Sequence, residues 1–189
     1  SGQSLIRAAE LRSVTTDFTR YQTAIYSFRD KYFALPGDMP NATAFWQSNG
    51  GTGSDAACFN APSSSAATCN GNGNGQIEYY SATIPLGEPH RAWQHLANAG
   101  LVEGNYNGDG DASSLPGQNV PRGRISNTGF ELIYIANSSF FGETHSAQSN
   151  GNQLAFGVEA AGLTRGVVLK PEEAWNLDTK IDDSKPDQG

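Results

Sequence analysis

Seven apolar side chains near the start of the chain constrain its fold more than anything that follows. Leu11, Val14, Phe18, Tyr21, Ile25, Phe28 and Tyr32 succeed one another at steps of 3, 4, 3, 4, 3 and 4. That is the spacing of one face of an α-helix, and the two-residue alternation of a strand does not fit it. Arg7, Glu10, Arg12, Asp17, Arg20, Arg29, Asp30 and Lys31 fall off the stripe, no Gly or Pro interrupts residues 4–33, and Pro36-Gly37 closes the run. At ~1.5 Å per residue such a helix is about 45 Å long, more than most domains of this size enclose. The plain reading is a long core helix. The sharper one, which the Gly-rich and strand-rich remainder favours, is a spine buried partly under its own domain and partly against other subunits. We expect the sheet of the same chain to cover residues 14–32, where the bulky side chains lie, and residues 4–11 to protrude.

At 189 residues the chain is expected to form one domain, with residues 4–33 as helical spine and residues 34–189 as the globular part. The formal charge of −7 comes from 19 acids against 12 bases, and the bases are scattered in sequence. No basic cluster interleaved with aromatics occurs, so no nucleic-acid partner is expected. Only 16% of residues are charged, a neutral polar balance common in exported proteins. No run of 18 or more apolar residues is present. Ser1-Gly2 reads as a cloning remnant, and a helical pattern that begins mid-stride leads us to expect that a natural N-terminal part precedes it. Cys58 and Cys69, the only cysteines, lie 11 apart in a Ser/Ala-rich stretch. A disulfide between them fits an oxidising compartment, and a metal site would need more ligands than this pair offers.

Leu35-Pro36-Gly37-Asp38-Met39-Pro40 predicts a sharp corner, and residues 41–47 a short helix with Ala42, Phe45 and Trp46 on one side, capped by Asp38 or Asn41. Residues 48–75 read as a long loop, and residues 105–123 as a second polar one. Residues 88–99 predict a helix with Ala92, Trp93, Leu96 and Ala97 inward and Gly100 as its stop. Strands are expected at 130–135, 153–158 and, more weakly, 163–169, with loop at 137–152. Pro171 followed by Glu172 and Glu173 predicts a short helix over 171–178.

Motifs for catalysis are missing. His90 and His95 are five apart, off the metal-binding spacing of four, and His145 sits in predicted loop. We read all three as surface or satisfied helix-end residues. No Gly-x-Ser-x-Gly, phosphate loop or dinucleotide fingerprint occurs, so an enzyme is not expected. Two stretches could take calcium. Asn70, Asn72, Asn74, Gly75 and Ile77 follow the opening of a calcium-binding loop, with amides in place of carboxylates and Glu78 as the nearby charge. Its closing position is Ser81 instead of a bidentate Glu, and a plain Gly-Asn turn is the simpler reading. Asp109 and Asp111 carry better charge but less motif. Asp178, Asp182, Asp183 and Asp187 form the densest anionic run, neutralised by a cation or by Lys180 and Lys185, or simply solvated.

Taken in order, these blocks resemble the type IV pilin-like and type II secretion pseudopilin superfamily. The residues that carry the resemblance are Phe18, Tyr21, Ala24, Phe28, Tyr32 and Leu35-Pro36-Gly37-Asp38-Met39, then Ala44-Phe45-Trp46. They continue with Trp93, Leu96 and Ala99-Gly100-Leu101, and with Ala174, Leu177-Asp178 and Lys180-Ile181-Asp182-Asp183. The resemblance implies an α+β fold, a long N-terminal helix against a small antiparallel sheet. It implies a structural subunit of a pilus or pseudopilus, whose partners are other subunits, the inner membrane reached through an apolar anchor, and a prepilin peptidase that cleaves and methylates the precursor. The place implied is the cell envelope, as an anchored precursor with a periplasmic domain or as an extracellular filament. Some members hold calcium in a C-terminal loop, which puts Asp178, Asp182 and Asp183 ahead of Asn70, Asn72, Asn74 and Glu78. Two departures stand out: the Gly-Phe-Thr-Leu-Ile-Glu segment is not in this chain, and the cysteines lie mid-chain. A tip subunit binding a surface through its loops, or an exported hydrolase with an unrecognised site, are the alternatives.

Overall fold

The computed structural model describes residues 2–79, 87–135, 151–160 and 162–181. Its elements are helices α1 (Gly2–Tyr32), α2 (Thr43–Trp46), α3 (Ala56–Phe59) and α4 (Glu88–Asn98), strands β1 (Thr128–Ile135), β2 (Gly151–Ala160) and β3 (Leu163–Gly166), and helix α5 (Pro171–Ile181). The architecture is α+β, a long N-terminal helix against an antiparallel sheet of order β1-β2-β3.

The seven-residue stripe of α1 faces the protein. Val14, Tyr21 and Phe28 are buried along with Ala24, while Leu11, Phe18, Ile25 and Tyr32 are half-buried between them. What covers the stripe differs from the expectation. Phe18 and Tyr21 reach the sheet through Phe130, but Tyr21 also packs edge-on to Trp93 of α4. Further along, Phe28 stacks on His95 of α4, and Tyr32 meets Phe45 and Trp46 of α2. The sheet is too small to span the helix, so α4 and α2 close its C-terminal half. Phe33 then leaves the helix at φ 54, with its N–H still bonded to Arg29 O at 2.9 Å.

Residues 4–11 do not simply protrude. Arg7 donates to both carboxylate oxygens of Glu173 in α5, at 2.8 and 2.7 Å. Leu11 and Val14 join Ile125 and Leu177 in a small apolar cluster with Val168 and Leu169. The C-terminal helix, longer than the residues 171–178 expected, thus lies along the N-terminal half of the spine. The expected third strand ends at Gly166, because Val168 and Leu169 turn away to pack against this cluster instead.

β1 sits at the edge of the sheet, yet seven of its eight residues are buried. Loop segments cover its free edge: Tyr134 N–H bonds to Ile77 O at 2.7 Å and Phe130 N–H to Pro121 O at 3.2 Å. Such cover removes the exposed ladder that invites unwanted pairing. Phe130 and Leu132 face the main core, and Ile133 and Ile135 pack with Leu163 on the other side. A register shift at Val158/Glu159 curls the β2–β3 pair over that second face. Gly151 and Asn152, expected as loop, open β2.

The loop of residues 48–75 is more ordered than its composition predicts. Cys58 and Cys69 are disulfide-bonded with Cα atoms 5.9 Å apart, and both are fully buried beside Phe59. Asp55 caps α3 by accepting from Cys58 N–H at 3.1 Å. A double Cys58→Ala, Cys69→Ala variant is expected to lose on the order of 3 kcal/mol of stability in urea melts, chiefly by releasing the unfolded chain. A variant as stable as the parent would mean that the surrounding hydrogen bonds hold the loop unaided.

Candidate functional site

The corner after α1 and the Asn-Gly loop are built as one unit. Gly37, at φ 85, approaches α4 so closely that a Cβ there would stand 2.5 Å from Glu88 O. Its N–H donates to His95 Nδ1 at 3.0 Å, which anchors the corner to the helix. Asp38 then accepts from Asn74 N–H at 3.1 Å and Gly75 N–H at 2.8 Å. Glu88, the first residue of α4, accepts from Asn72 N–H at 3.1 Å and Glu78 N–H at 2.8 Å. Two carboxylates therefore shape the loop from inside, which the loop's own sequence does not reveal. Burial pushes the Asp38 carboxyl up against the pull of three backbone N–H groups. It pushes Glu88 up to about 8.

The amide side chains proposed for calcium are turned to other work. Asn70 Oδ1 accepts from Thr43 N–H at 2.8 Å and so caps α2, the role expected of Asp38 or Asn41. Asn72 Oδ1 accepts from Asn74 N–H and Asn74 Oδ1 from Gln76 N–H, the Asx-turn pattern. Both side chains donate Nδ2 to Glu78 Oε2, at 3.0 and 2.7 Å. Among the described residues no group of three His, Cys, Asp or Glu is arranged to hold a metal ion. Asp109 Oδ1 likewise accepts from Asp111 N–H within its own turn, at 3.1 Å. Asp178 falls in α5, but its side chain, like the whole of Asp182 and Asp183, lies outside the described residues, as does His145.

α4 is buried on every side, polar residues included. His90 and His95 are not on the surface. Ser114 Oγ bridges His90 Nε2 (3.1 Å) and the Glu131 carboxylate, and His90 Nδ1 meets Asp109 O at 2.6 Å. This Ser–His–Glu chain has the composition of a nucleophilic triad. Its three members are at most 1% exposed, so no substrate reaches them as they stand. Arg91, also fully buried, donates to Cys58 O and Ala61 O at 2.8 and 2.7 Å and to Gln94 Oε1 at 2.9 Å. Gln94 in turn accepts from Thr68 Oγ1 at 2.7 Å, and His95 Nε2 lies 3.1 Å from Cys69 O. Burial lowers His95 to about 3 and Arg91 to about 10. The polar side of α4 is thus the clamp for the disulfide loop.

Accessible chemistry lies on α1 instead. Leu5 and Ile6 are 74% and 62% exposed, Tyr26 is 61% exposed, and Phe33 is 93% exposed. Two of the grooves along the helix border these exposed side chains. One, of about 820 Å³, is lined at the C-terminal end by Tyr26, Arg29, Phe33 and Asp38. The other, of about 680 Å³, is lined near the N-terminus by Leu5, Arg12, Arg122 and Arg124.

No family model matches the chain, and neither a curated protein nor a solved structure matches it. The residues above therefore carry the functional reading alone. Reading the sequence missed Asp38, Glu88, Arg91 and Glu131 as buried organisers. Only Asp38 gave a signal, as an acid placed after Pro36-Gly37 and before Met39.

Proposed function

We propose that this chain is a structural subunit of a type IV pilus or a type II secretion pseudopilus, assembling through α1. What supports the reading is the division of that helix: one stripe packs on the domain, and residues off that stripe, Thr16, Thr19, Thr23 and Tyr26 among them, stay exposed. A helix of 31 residues, about 46 Å long, presents more outward surface than the fold uses. Adjacent copies bury that surface by packing helix against helix, and ridges set into grooves fix their angle. On this reading the partners are other subunits of the filament and, through an N-terminal extension of α1, the inner membrane. A prepilin peptidase acts on the precursor in the cell envelope, and Asp178, Asp182 and Asp183 are the candidates to hold calcium.

Expression of the natural full-length gene product with its assembly machinery tests this. Cysteines introduced at the exposed positions Ala8 and Thr19 are expected to give cross-linked multimers in the sheared filament fraction. A product that stays monomeric and never enters filaments sinks the reading.

A further inference from the structure

Three of the twelve bases scattered through the sequence line one groove of the fold. Arg12 of α1 and Arg122 and Arg124 of the loop before β1 line one groove of about 680 Å³, with Leu5, Ala8 and Ala9 beside them. The fold builds this arrangement. Gly123 admits no side chain, since a Cβ would stand 2.3 Å from Thr128 Oγ1 and 2.7 Å from the Phe156 ring. Ile125 is buried against Val14 and Leu177. With Gly123 and Ile125 facing inward, Arg122 and Arg124 both face out beside Arg12. Three arginines thus line one groove on a chain whose formal charge is −7. Arg122 is tethered by one bond to Pro116 O at 2.9 Å, and the groove's single carboxylate, Asp17, is paired with Arg20 at 3.2 Å and also attracts Arg124, which leaves the groove with a net positive charge.

We propose that this groove is a docking surface for an anionic lipid bilayer, the three guanidiniums meeting headgroup phosphates while Leu5 and Ile6 enter the interface. Charge complementarity chooses the occupant class, because guanidinium and phosphate pair bidentately. The adjacent exposed Leu5 and Ile6 favour a membrane over the acidic face of a second copy: they give the pairing of arginine and apolar side chain that holds interfacial helices. No helix among the described residues is long and apolar enough to cross a membrane, so this contact is a surface one. It orients the domain with the N-terminal end of α1 toward the bilayer. The inference goes beyond the filament reading and does not require it.

Co-sedimentation of the present chain with phosphatidylglycerol and with phosphatidylcholine vesicles is the test. Binding to the anionic vesicles alone, weakened by salt, is expected. The triple variant Arg12→Gln, Arg122→Gln, Arg124→Gln should lose it by about 100-fold, each base near an anionic surface contributing a factor of about five. All three side chains are exposed, so the variant keeps the parent's circular dichroism and melting midpoint. Leu5→Ser should weaken binding without removing its salt dependence. Equal sedimentation with both lipids, or binding unchanged in the triple variant, overturns the proposal. So does a triple variant that loses self-association in sedimentation velocity while the parent ignores vesicles, which makes the groove a contact between copies.

Discussion

Replacing Trp93 by Ala is expected to lower the unfolding free energy by about 4 kcal/mol, the upper range for a large core aromatic. Trp93 is fully buried, meets Tyr21 edge-on at 4.9 Å and lies 6.4 Å from Tyr106. It is the wedge between the spine and the buried helix, so the cavity opens where α1, α4 and β1 meet. None of those elements can collapse into it without breaking the hydrogen bonds that His95 and Arg91 make to loop carbonyls. A detail of the site makes the contrast with Trp93→Phe informative. The indole Nε1–H is buried with no partner among the described residues, so the native side chain already bears an unsatisfied donor. Phe keeps the edge contact with Tyr21 and removes that donor, and its loss should stay below about 1.5 kcal/mol. Chemical denaturation of both variants checks this. Equal losses for Ala and Phe would mean that Trp93 acts through its N–H and not through its bulk.

Much of this fold was legible in the sequence because its strongest signals are periodic. The α1 stripe, the Trp93-to-Leu96 face and the Phe130-to-Ile135 strand all carry the spacing of the surface they bury. The Cys58–Cys69 bridge was legible from chemistry, since two thiols in one polar loop have few stable alternatives. What periodicity does not carry is what lies opposite. The stripe predicts burial, and nothing in it says that α4 and α2 supply the cover instead of the sheet. α4 shows the limit most plainly. Its alternation of Ala92, Trp93 and Leu96 with His90, Arg91, Gln94 and His95 reads as one wet face. That face is buried, because the carbonyls of Cys58, Ala61, Ala67 and Cys69 replace water as its partners. Those partners sit in a loop whose sequence gives no sign of them. The Asn-Gly repeat misled for a related reason. Alternate amides on a tight turn serve a cation or the turn's own N–H groups equally well, and only Asp38 and Glu88, far off in sequence, decide between them.

These coverings also bear on the filament reading. Because α4, α2 and α5 each grip one side of α1, the spine is held without the sheet having to wrap it. Its opposite side stays clear, and Thr16, Thr19 and Thr23 there are small enough for close approach of another helix. A subunit held this way moves with its helix as a single body, which is what packing through that helix requires.

Stability is expected to peak near pH 6.5 and fall on both sides, with two buried groups of α4 setting the limbs. On the alkaline side, burial raises Glu88 from 4.5 to about 8. A raised carboxyl favours the fold fully below the unfolded value and loses that contribution as pH rises through the folded one. This loss begins near pH 4.5, and about 2 kcal/mol of it falls between pH 6.5 and 8, at 1.36 kcal/mol per pH unit for one proton. On the acid side, burial and then the nearby Arg91 charge lower His95 from 6.5 to about 3. Its Nδ1 must stay unprotonated to accept from Gly37 N–H. Its contribution is present above pH 6.5 and disappears between 6.5 and 3, about 5 kcal/mol in all. His90, lowered to about 4 by burial, acts in the same sense. Between pH 4.5 and 6.5 the Glu88 slope opposes these two and is outnumbered, which places the maximum at the upper end of that window. Urea melts from pH 4.5 to 8.5 on the parent and on Glu88→Gln separate the parts. The variant loses an acceptor for Asn72 or Glu78 N–H, so it is weakest relative to the parent at pH 4.5 and gains on it steadily from there to pH 8. Its alkaline limb should be flat where the parent falls. A parent whose stability stays flat from pH 6.5 to 8.5, as the variant's does, would show that Glu88 is ionised inside the fold. The loop clamp would then be a charged one, held by its two N–H donors against the cost of burial.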